Sequence, residues 1–405
     1  TKCGSLAIGP MKKATRQHTK THNSQLILQT IYDRGRVSRA DIARLTGLTR
    51  TTVSDIVGEL MEDGLVAEVG IGPSAGGKPP ILLSVVADSR HIIAIDLANS
   101  EFRGAVVNLR GEFRHRLELP VGDRDGDEAL ELVYRLVDEL IALTDSPILG
   151  IGIGSPGLMD ARHGVVRKSV NLDWQDLPLG SLLEARYHLP VYIANDSQVA
   201  ALAEMRFGSG KDATNLIVIK IGRGVGAGIV LNRQLYFGDN FGAGEIGHVV
   251  IDPGGEPCRC GNCGCLETLV SSRALVRRVR EMARQDPSAT VHRFAATLEE
   301  INTAVLLEAF HAGDESIARL IEQTGQHLGT SVASMTASLG IQRVVIAGSM
   351  ARFGRALTDP IKRQIAVRSL PVLATEIEIE TSNLGNDIVI LGAAALLLSE
   401  ELGIA

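Results

Sequence analysis

Four thiols fall within eight residues, at Cys258, Cys260, Cys263 and Cys265, with His248 ten residues ahead of the first. Four thiols this close cannot all be ordinary core cysteines. Zinc accounts for them, because it takes four Cys or His ligands in a tetrahedral array and short glycine-containing knuckles bend the chain around it. Five candidate ligands compete for four places, and either His248 with three cysteines or all four cysteines satisfies the spacing. No adjacent base and open coordination position are evident, so the expected zinc is structural rather than hydrolytic. The fifth cysteine, Cys3, stands alone, which argues against a disulfide framework.

The first 87 residues have a different character. Ser24 to Asp33 carries Ile27, Leu28 and Ile31 at helical spacing, and Gly35 ends that run. Ser38 stands three residues before Asp41, a capped helix start, with Ile42 and Leu45 on the buried face. After the turn Thr46-Gly47-Leu48, Thr49 caps a helix whose Val53, Ile56, Val57 and Leu60 form one apolar stripe, and Gly64 stops it. Two short helices joined by a glycine turn make a helix-turn-helix. Residues 65–69 and 81–85 read as strands, and the Gly- and Pro-rich loop 70–80, which carries Lys78, reads as a wing. Arg50, Thr51, Thr52 and Ser54 lie opposite the apolar stripe, at the end of a recognition helix that enters a major groove. With Arg39, Thr49 and Lys78 they are the expected contacts to double-stranded operator DNA. One such helix reads only a few base pairs, so a dimer or tetramer on symmetric half-sites is expected.

From residue 88 apolar strands alternate with helices. Strands are expected at 91–96, 104–108, 148–154, 191–194, 216–221 and 229–231, and helices at 130–143, from Ser197, and at 388–398. That alternation predicts an α/β body. Asn195-Asp196 follow a strand directly, at the carboxyl end where α/β sheets place ligand chemistry. Gly222, Gly224, Gly226 and Gly228 alternate; they either admit a ligand close to the backbone or belong to a bulged hairpin.

At 405 residues the chain exceeds one compact core. A net charge of −6 argues against a general nucleic-acid binder, yet the sum conceals a division. Residues 1–87 hold 11 Lys and Arg against 7 Asp and Glu, and the acidic excess lies in the remainder. No segment reaches the roughly 18–20 apolar residues of a bilayer span, and no long apolar core opens the chain. A cytoplasmic protein without membrane insertion is expected.

Together these segments resemble the ROK family of repressors and sugar kinases, from about Ser24 to Leu402. The most specific are Gly242-Ala-Gly-Glu245-Ile-Gly-His248 and Cys258-x-Cys260-Gly-Asn-x-Gly-Cys265-Leu-Glu267. Ser155-Pro156-Gly157, Asn195-Asp196 and the winged helix support them. The resemblance implies an α/β fold: an N-terminal winged helix-turn-helix, then an actin-like two-lobed sugar-kinase-type body with sugar in the cleft. The implied boundaries are a flexible basic tail at 1–23, the DNA-binding domain at 24–87, a first lobe at 88–196 plus 385–405, and a second lobe with the zinc knuckle at 197–384. Zinc is implied on His248, Cys258, Cys260 and Cys265, with Cys263 at a variable position. Sugar hydroxyls are implied on Asn195, Asp196, Glu245, His248 and Glu267, with Asn171 a further contact. Carboxylates and an amide suit vicinal hydroxyls, and His248 would give one ring nitrogen to zinc and the other to sugar.

One stretch departs from the family's kinases. They open the body with Asp-x-Gly-Gly-Thr-Lys, whose bare backbone cradles ATP phosphates. Here the stretch is Asp96-Leu-Ala98-Asn99-Ser100-Glu101, so both glycines and the lysine are replaced and Glu101 repels phosphate. Ile346-Ala347-Gly348-Ser349-Met350 likewise departs from the glycine triplet beside adenosine. Asp196, which matches the kinase general base, is kept. The expectation is a non-catalytic repressor of sugar-utilisation genes that a monosaccharide releases from its operator. An active ATP-dependent sugar kinase with an added DNA-binding head is the alternative. A third reading is an interaction hub sequestered by a membrane transporter component.

Overall fold

The computed structural model describes residues 16–73, 79–98 and 100–404. Cys3, Lys78 and Asn99 therefore lie outside the described residues. The chain divides into two compact units, one running to Arg90 together with Leu398–Ile404, the other spanning His91–Leu397.

The first unit runs α1 (Arg16–Arg34), β1 (Val37–Ser38), α2 (Arg39–Thr46), α3 (Arg50–Glu62), β2 (Val66–Ile71) and β3 (Ile81–Val85). Its strands form an antiparallel sheet ordered β1-β3-β2. The Ser38 hydroxyl caps α2 by accepting from the Asp41 N–H, and Gly47, at φ 72°, closes it in the left-handed region. Thr49 caps α3 by accepting from the Thr52 N–H. Ile27, Ile31, Ile42, Val53 and Val57 are fully buried, each contributing about 1.5–3 kcal/mol of transfer free energy. Helix α1 begins at Arg16, so residues 16–23 are helical rather than part of a flexible tail. A nucleated helix extends at little cost, and Lys20 pairs with Glu59 of α3 at 2.7 Å. A two-residue strand has no alternation to read, so β1 becomes visible only through its pairing of Val37 with Leu83.

The second unit opens with β4 (His91–Leu97), β5 (Glu101–Asn108), β6 (Phe113–Pro120), α4 (Gly126–Ile141) and β7 (Ile148–Ser155). A small antiparallel sheet of β8 (Leu158–Asp160), β9 (Val165–Ser169) and β10 (Trp174–Leu177) follows, then α5 (Leu179–Tyr187), β11 (Val191–Asn195) and α6 (Asp196–Arg206). The second half holds β12 (Leu216–Ile221), β13 (Val225–Leu231), β14 (Gln234–Leu235), α7 (Leu266–Val270), α8 (Ser272–Gln285), α9 (Thr303–His311) and α10 (Glu315–Leu339). It ends with β15 (Arg343–Ala347), α11 (Arg355–Arg368), α12 (Pro371–Ala374), β16 (Glu378–Thr381) and α13 (Ile388–Leu402).

The two large sheets are ordered β11-β7-β4-β5-β6 and β14-β13-β12-β15-β16. Numbered within its own half, each reads 3-2-1-4-5 from one edge or the other. In both, the first three strands are antiparallel and the last two join in parallel. The body is one α/β topology used twice.

Glycines let helices seat on these sheets. Gly150, Gly152 and Gly154 alternate on β7 beneath α13: a Cβ on Gly152 would overlap the Ala393 carbonyl oxygen, and one on Gly154 the Val389 side chain. Gly392 of α13 meets the Val199 carbonyl of α6 in the same way. On β13, Gly226 and Gly228 abut Ser197. Two members of the alternating run 222–228 thus admit a helix rather than a ligand. Val199, Val218, Val345 and Val389 join α6, β12, β15 and α13 in one apolar cluster. The chain end differs from the expected lobe at 385–405, because Leu398–Ile404 belong to the first unit. There Ile404 is buried and Gly403, at φ 64°, packs against Gln25.

Candidate functional site

The recognition helix presents what its capping and stripe leave over. Arg50, Thr51 and Ser54 are exposed on α3, while Val53, Ile56, Val57 and Leu60 are buried. Arg50 makes no ion pair among the described residues. The Thr49 and Thr52 hydroxyls lie 2.9 Å apart and serve the cap first. Arg39, by contrast, is tied down: its guanidinium pairs with Glu68 of β2 at 3.1 Å and donates to the Met61 sulfur.

In the body, His248, Cys258, Cys260 and Cys265 each bring a ligand atom within 4.8 Å of the others. The Nδ1 of His248 lies 3.6 Å from Cys258 Sγ, and the Sγ atoms of Cys260 and Cys265 are 3.6 Å apart. Cys263 stays exposed outside the cluster and bridges backbone-to-backbone with Pro257. Tight turns close the knuckle: the Cys258 N–H donates to the Asn262 carbonyl, and Gly264, at φ 71°, sits where a Cβ would overlap the Asp252 carbonyl oxygen. Backbone hydrogen bonding from Asn262 draws the Cys260 thiol down to about 7, whereas burial pushes Cys265 up to about 12. A dication would overcome that burial, since thiolate is the ligating form. Three soft thiols and an imidazole at this spacing fit zinc.

The residues expected to meet sugar hydroxyls gather on the other side of His248. Its Nε2 faces Glu245 Oε2 at 3.9 Å, so the two ring nitrogens divide between thiols and carboxylate. Gly244 and Gly247 make this possible, because Cβ atoms there would overlap the Ala227 and Val225 carbonyl oxygens of β13. Burial pushes the Glu245 carboxyl up; His248 counters it, and Asp196 and Glu267 add to it. These four residues therefore share one electrostatic neighbourhood. Glu267 Oε2 accepts from the Val225 N–H at 3.0 Å. Asn195 caps α6, accepting from the Ser197 N–H at 2.8 Å and donating to the Gly157 carbonyl at 2.9 Å, which leaves one amide hydrogen for a ligand. Asn171 is exposed and accepts from Arg259 of the knuckle at 2.6 Å.

A cation network stands beside this set. Lys220 of β12 donates to Asp196 Oδ2 at 2.7 Å. Arg103 of β5 pairs with buried Asp96 of β4. Burial alone would pull the Lys220 ammonium down, but Asp196 and Asp96 together hold it above the ordinary lysine value. Burial pushes the Asp96 carboxyl up against the pull of Arg103 and Lys220. The sequence signal for Lys220 is plain in hindsight: it is the one charged residue inside the apolar strand Leu216–Ile221. Sequence reasoning also passed over Arg259 and Arg273, which line one cavity with Glu267, and Arg223, whose charge reaches Arg273. Burial lowers the Arg273 guanidinium, and Arg259 and Arg223 lower it further despite Glu267.

Residues 92–400 match the ROK family, and residues 21–67 match the winged helix-turn-helix DNA-binding family. The chain is 33% identical over 390 residues to the xylose repressor of Caldicellulosiruptor bescii, covering 95% of this chain and 97% of that one. It is 32% identical over 320 residues to a glucokinase of Halalkalibacterium halodurans, covering 77% of this chain and 96% of the enzyme. The crystal structure of a ROK family transcriptional regulator, a homologue of the E. coli MLC protein, matches with a TM-score of 0.84 at 27% identity, covering 96% of this chain and 98% of that one. No described helix is long and apolar enough to cross a membrane.

Proposed function

This chain belongs to the ROK family, and we propose that it is a DNA-binding repressor of sugar-utilisation genes, released from its operator by a monosaccharide. The observation that carries this reading is the Lys220–Asp196 ion pair. It leaves the hydroxyl-binding set around Glu245 and His248 assembled, yet occupies the carboxylate a sugar kinase would use as base. The Asp196 Oδ2 atom is already engaged by the Lys220 ammonium before a sugar hydroxyl arrives. Glu101 adds negative charge beside the replaced phosphate turn. The protein is then a binder of sugar rather than a phosphoryl transferase, and Asp196 serves to grip hydroxyls.

Zinc on His248, Cys258, Cys260 and Cys265 is structural in this reading. It fixes the His248 tautomer and so presents Nε2 to the sugar. Arg50, Thr51 and Ser54 read base edges or phosphates, with Thr49, Thr52 and Lys78 supporting; Arg39 holds the sheet onto the helices. Recognition of a site long enough to be specific requires at least a dimer on symmetric half-sites. The setting is cytoplasmic, where operator DNA and imported sugar meet.

A sugar can shift operator affinity only by preferring one arrangement of the protein over another. A coupling of about 1–3 kcal/mol would weaken operator binding roughly 5–150-fold, and operator would weaken sugar binding by the same factor. The test selects an operator from random DNA with the full chain, then titrates it with and without xylose, glucose and N-acetylglucosamine. Weaker operator binding in the presence of one sugar supports the repressor. A bound sugar that tightened binding, or left it unchanged, would reject induction. Phosphosugar formed from ATP at enzyme-like rates, and lost in Asp196→Asn, would establish the kinase alternative instead.

A further inference from the structure

We propose that Gln198 is a positioning residue for the sugar, bracing in one register the two segments that carry its expected contacts, Asn195-Asp196 and the turn into Glu245. The inference rests on the sugar-effector reading above and names what holds that site in shape. Gln198 is 2% exposed and lies in the first turn of α6. Its Oε1 accepts from the Asn195 N–H at 3.4 Å, and its Nε2 donates to the Phe241 and Ala243 carbonyls at 3.4 and 3.5 Å. The amide has one hydrogen for each carbonyl. These bonds are long and each is weak. Their importance lies in what they join, because the three backbone groups belong to segments from either half of the body.

The second segment is held against its own preference. Phe241 sits at φ 57°, in the left-handed region that glycine enters freely and phenylalanine does not. Such a residue persists only where its surroundings over-determine it. Here Gln198 takes its carbonyl, the Phe237 ring meets its ring edge-on at 6.3 Å, and the Arg162 guanidinium lies 5.6 Å over it. From this turn the chain runs through Gly242 to Glu245, whose N–H donates to the Gly242 carbonyl at 3.4 Å. On the other side Gln198 completes a capping box with Asn195, whose side chain accepts from the Ser197 N–H. One buried amide thus orients the Asn195 carboxamide and the approach to Glu245 together. Groups that read an array of hydroxyls must be held within about 0.5 Å of their productive geometry, and this amide is placed to do so from behind the site.

Calorimetric titration of the full chain with xylose, glucose and N-acetylglucosamine tests this, with metal content and melting temperature measured on the same samples. For whichever sugar binds, Gln198→Met should weaken affinity about tenfold or more at unchanged metal content. In the unaltered chain the affinity losses of Asp196→Asn and Glu245→Gln should combine to less than their product, because both residues grip one ligand. In Gln198→Met the two losses should simply multiply. A role confined to stability would lower the melting temperature and leave that coupling as it was. Phe241→Gly is the second arm, and it decides alone where Gln198→Met does not fold. Glycine frees the turn from its one conformation, so sugar affinity should fall about threefold or more. An unaltered sugar affinity in either variant, or a coupling that survives Gln198→Met, overturns the proposal while the sugar-effector reading stands. Binding of none of these sugars by the unaltered chain overturns both.

Discussion

The Lys220 ammonium lies 2.7 Å from Asp196 Oδ2, joining the central strand of one sheet to the residue that follows the edge strand of the other. Both side chains are largely buried, at 21% and 18% exposure. The aspartate opens α6 directly after β11, and Lys220 occupies one of its two carboxylate oxygens.

Lys220→Met should therefore destabilise the body by about 3–5 kcal/mol, the usual cost of stranding one member of a buried pair. The sign of the pH dependence follows from the raised Lys220 value. Stability from this pair is fully present below the ordinary lysine value of 10.5 and is lost as pH rises through the higher folded value. Thermal melts of both proteins across alkaline pH check this: the gap between them should close only in strong base.

Arg50→Ala should weaken operator binding by about 1–3 kcal/mol if the guanidinium reads a base edge. Arg39→Ala should act mainly on stability, since that side chain is bound to Glu68. Gel-shift titrations paired with melts separate the two, and an Arg50→Ala protein with unaltered affinity would remove α3 as the reading helix.

Metal analysis distinguishes the thiols. Cys260→Ser should release zinc and lower the melting temperature, whereas Cys263→Ser should retain metal, because Cys263 lies outside the ligand cluster. Zinc retained by the first variant and lost from the second would show that the ligand assignment is wrong. Chelation should also weaken sugar binding, by freeing the His248 ring to rotate.

Gly152→Ala adds a single methyl where the Ala393 carbonyl oxygen already stands. Overpacking of this kind costs about 1–3 kcal/mol or more, and here it would push α13 off β7. Urea denaturation should show the loss. Gly222→Ala, which meets nothing within 4 Å, serves as the control.

Sequence periodicity was enough to define the two helices of the DNA reader, their Ser38 and Thr49 caps and the buried stripe of α3, because each depends on residues a few positions apart. The knuckle was equally legible, since its thiols are neighbours in the chain, although spacing alone left five ligands for four places. The fold separated the thiols by position: Cys258, Cys260 and Cys265 bring their Sγ atoms within 4.8 Å of one another and of a His248 ring nitrogen, and Cys263 lies outside that cluster. The glycines of β13 read as permissive backbone and those of β7 only as part of a strand; the tertiary structure revealed that they carry helices α6 and α13. Lys220 and Asp196 are 24 residues apart and on different sheets, so no local pattern connects them. Local capping and spacing are set by backbone geometry within a turn or two. Which charge neutralises which is decided by strands that meet only after the same topology has folded twice.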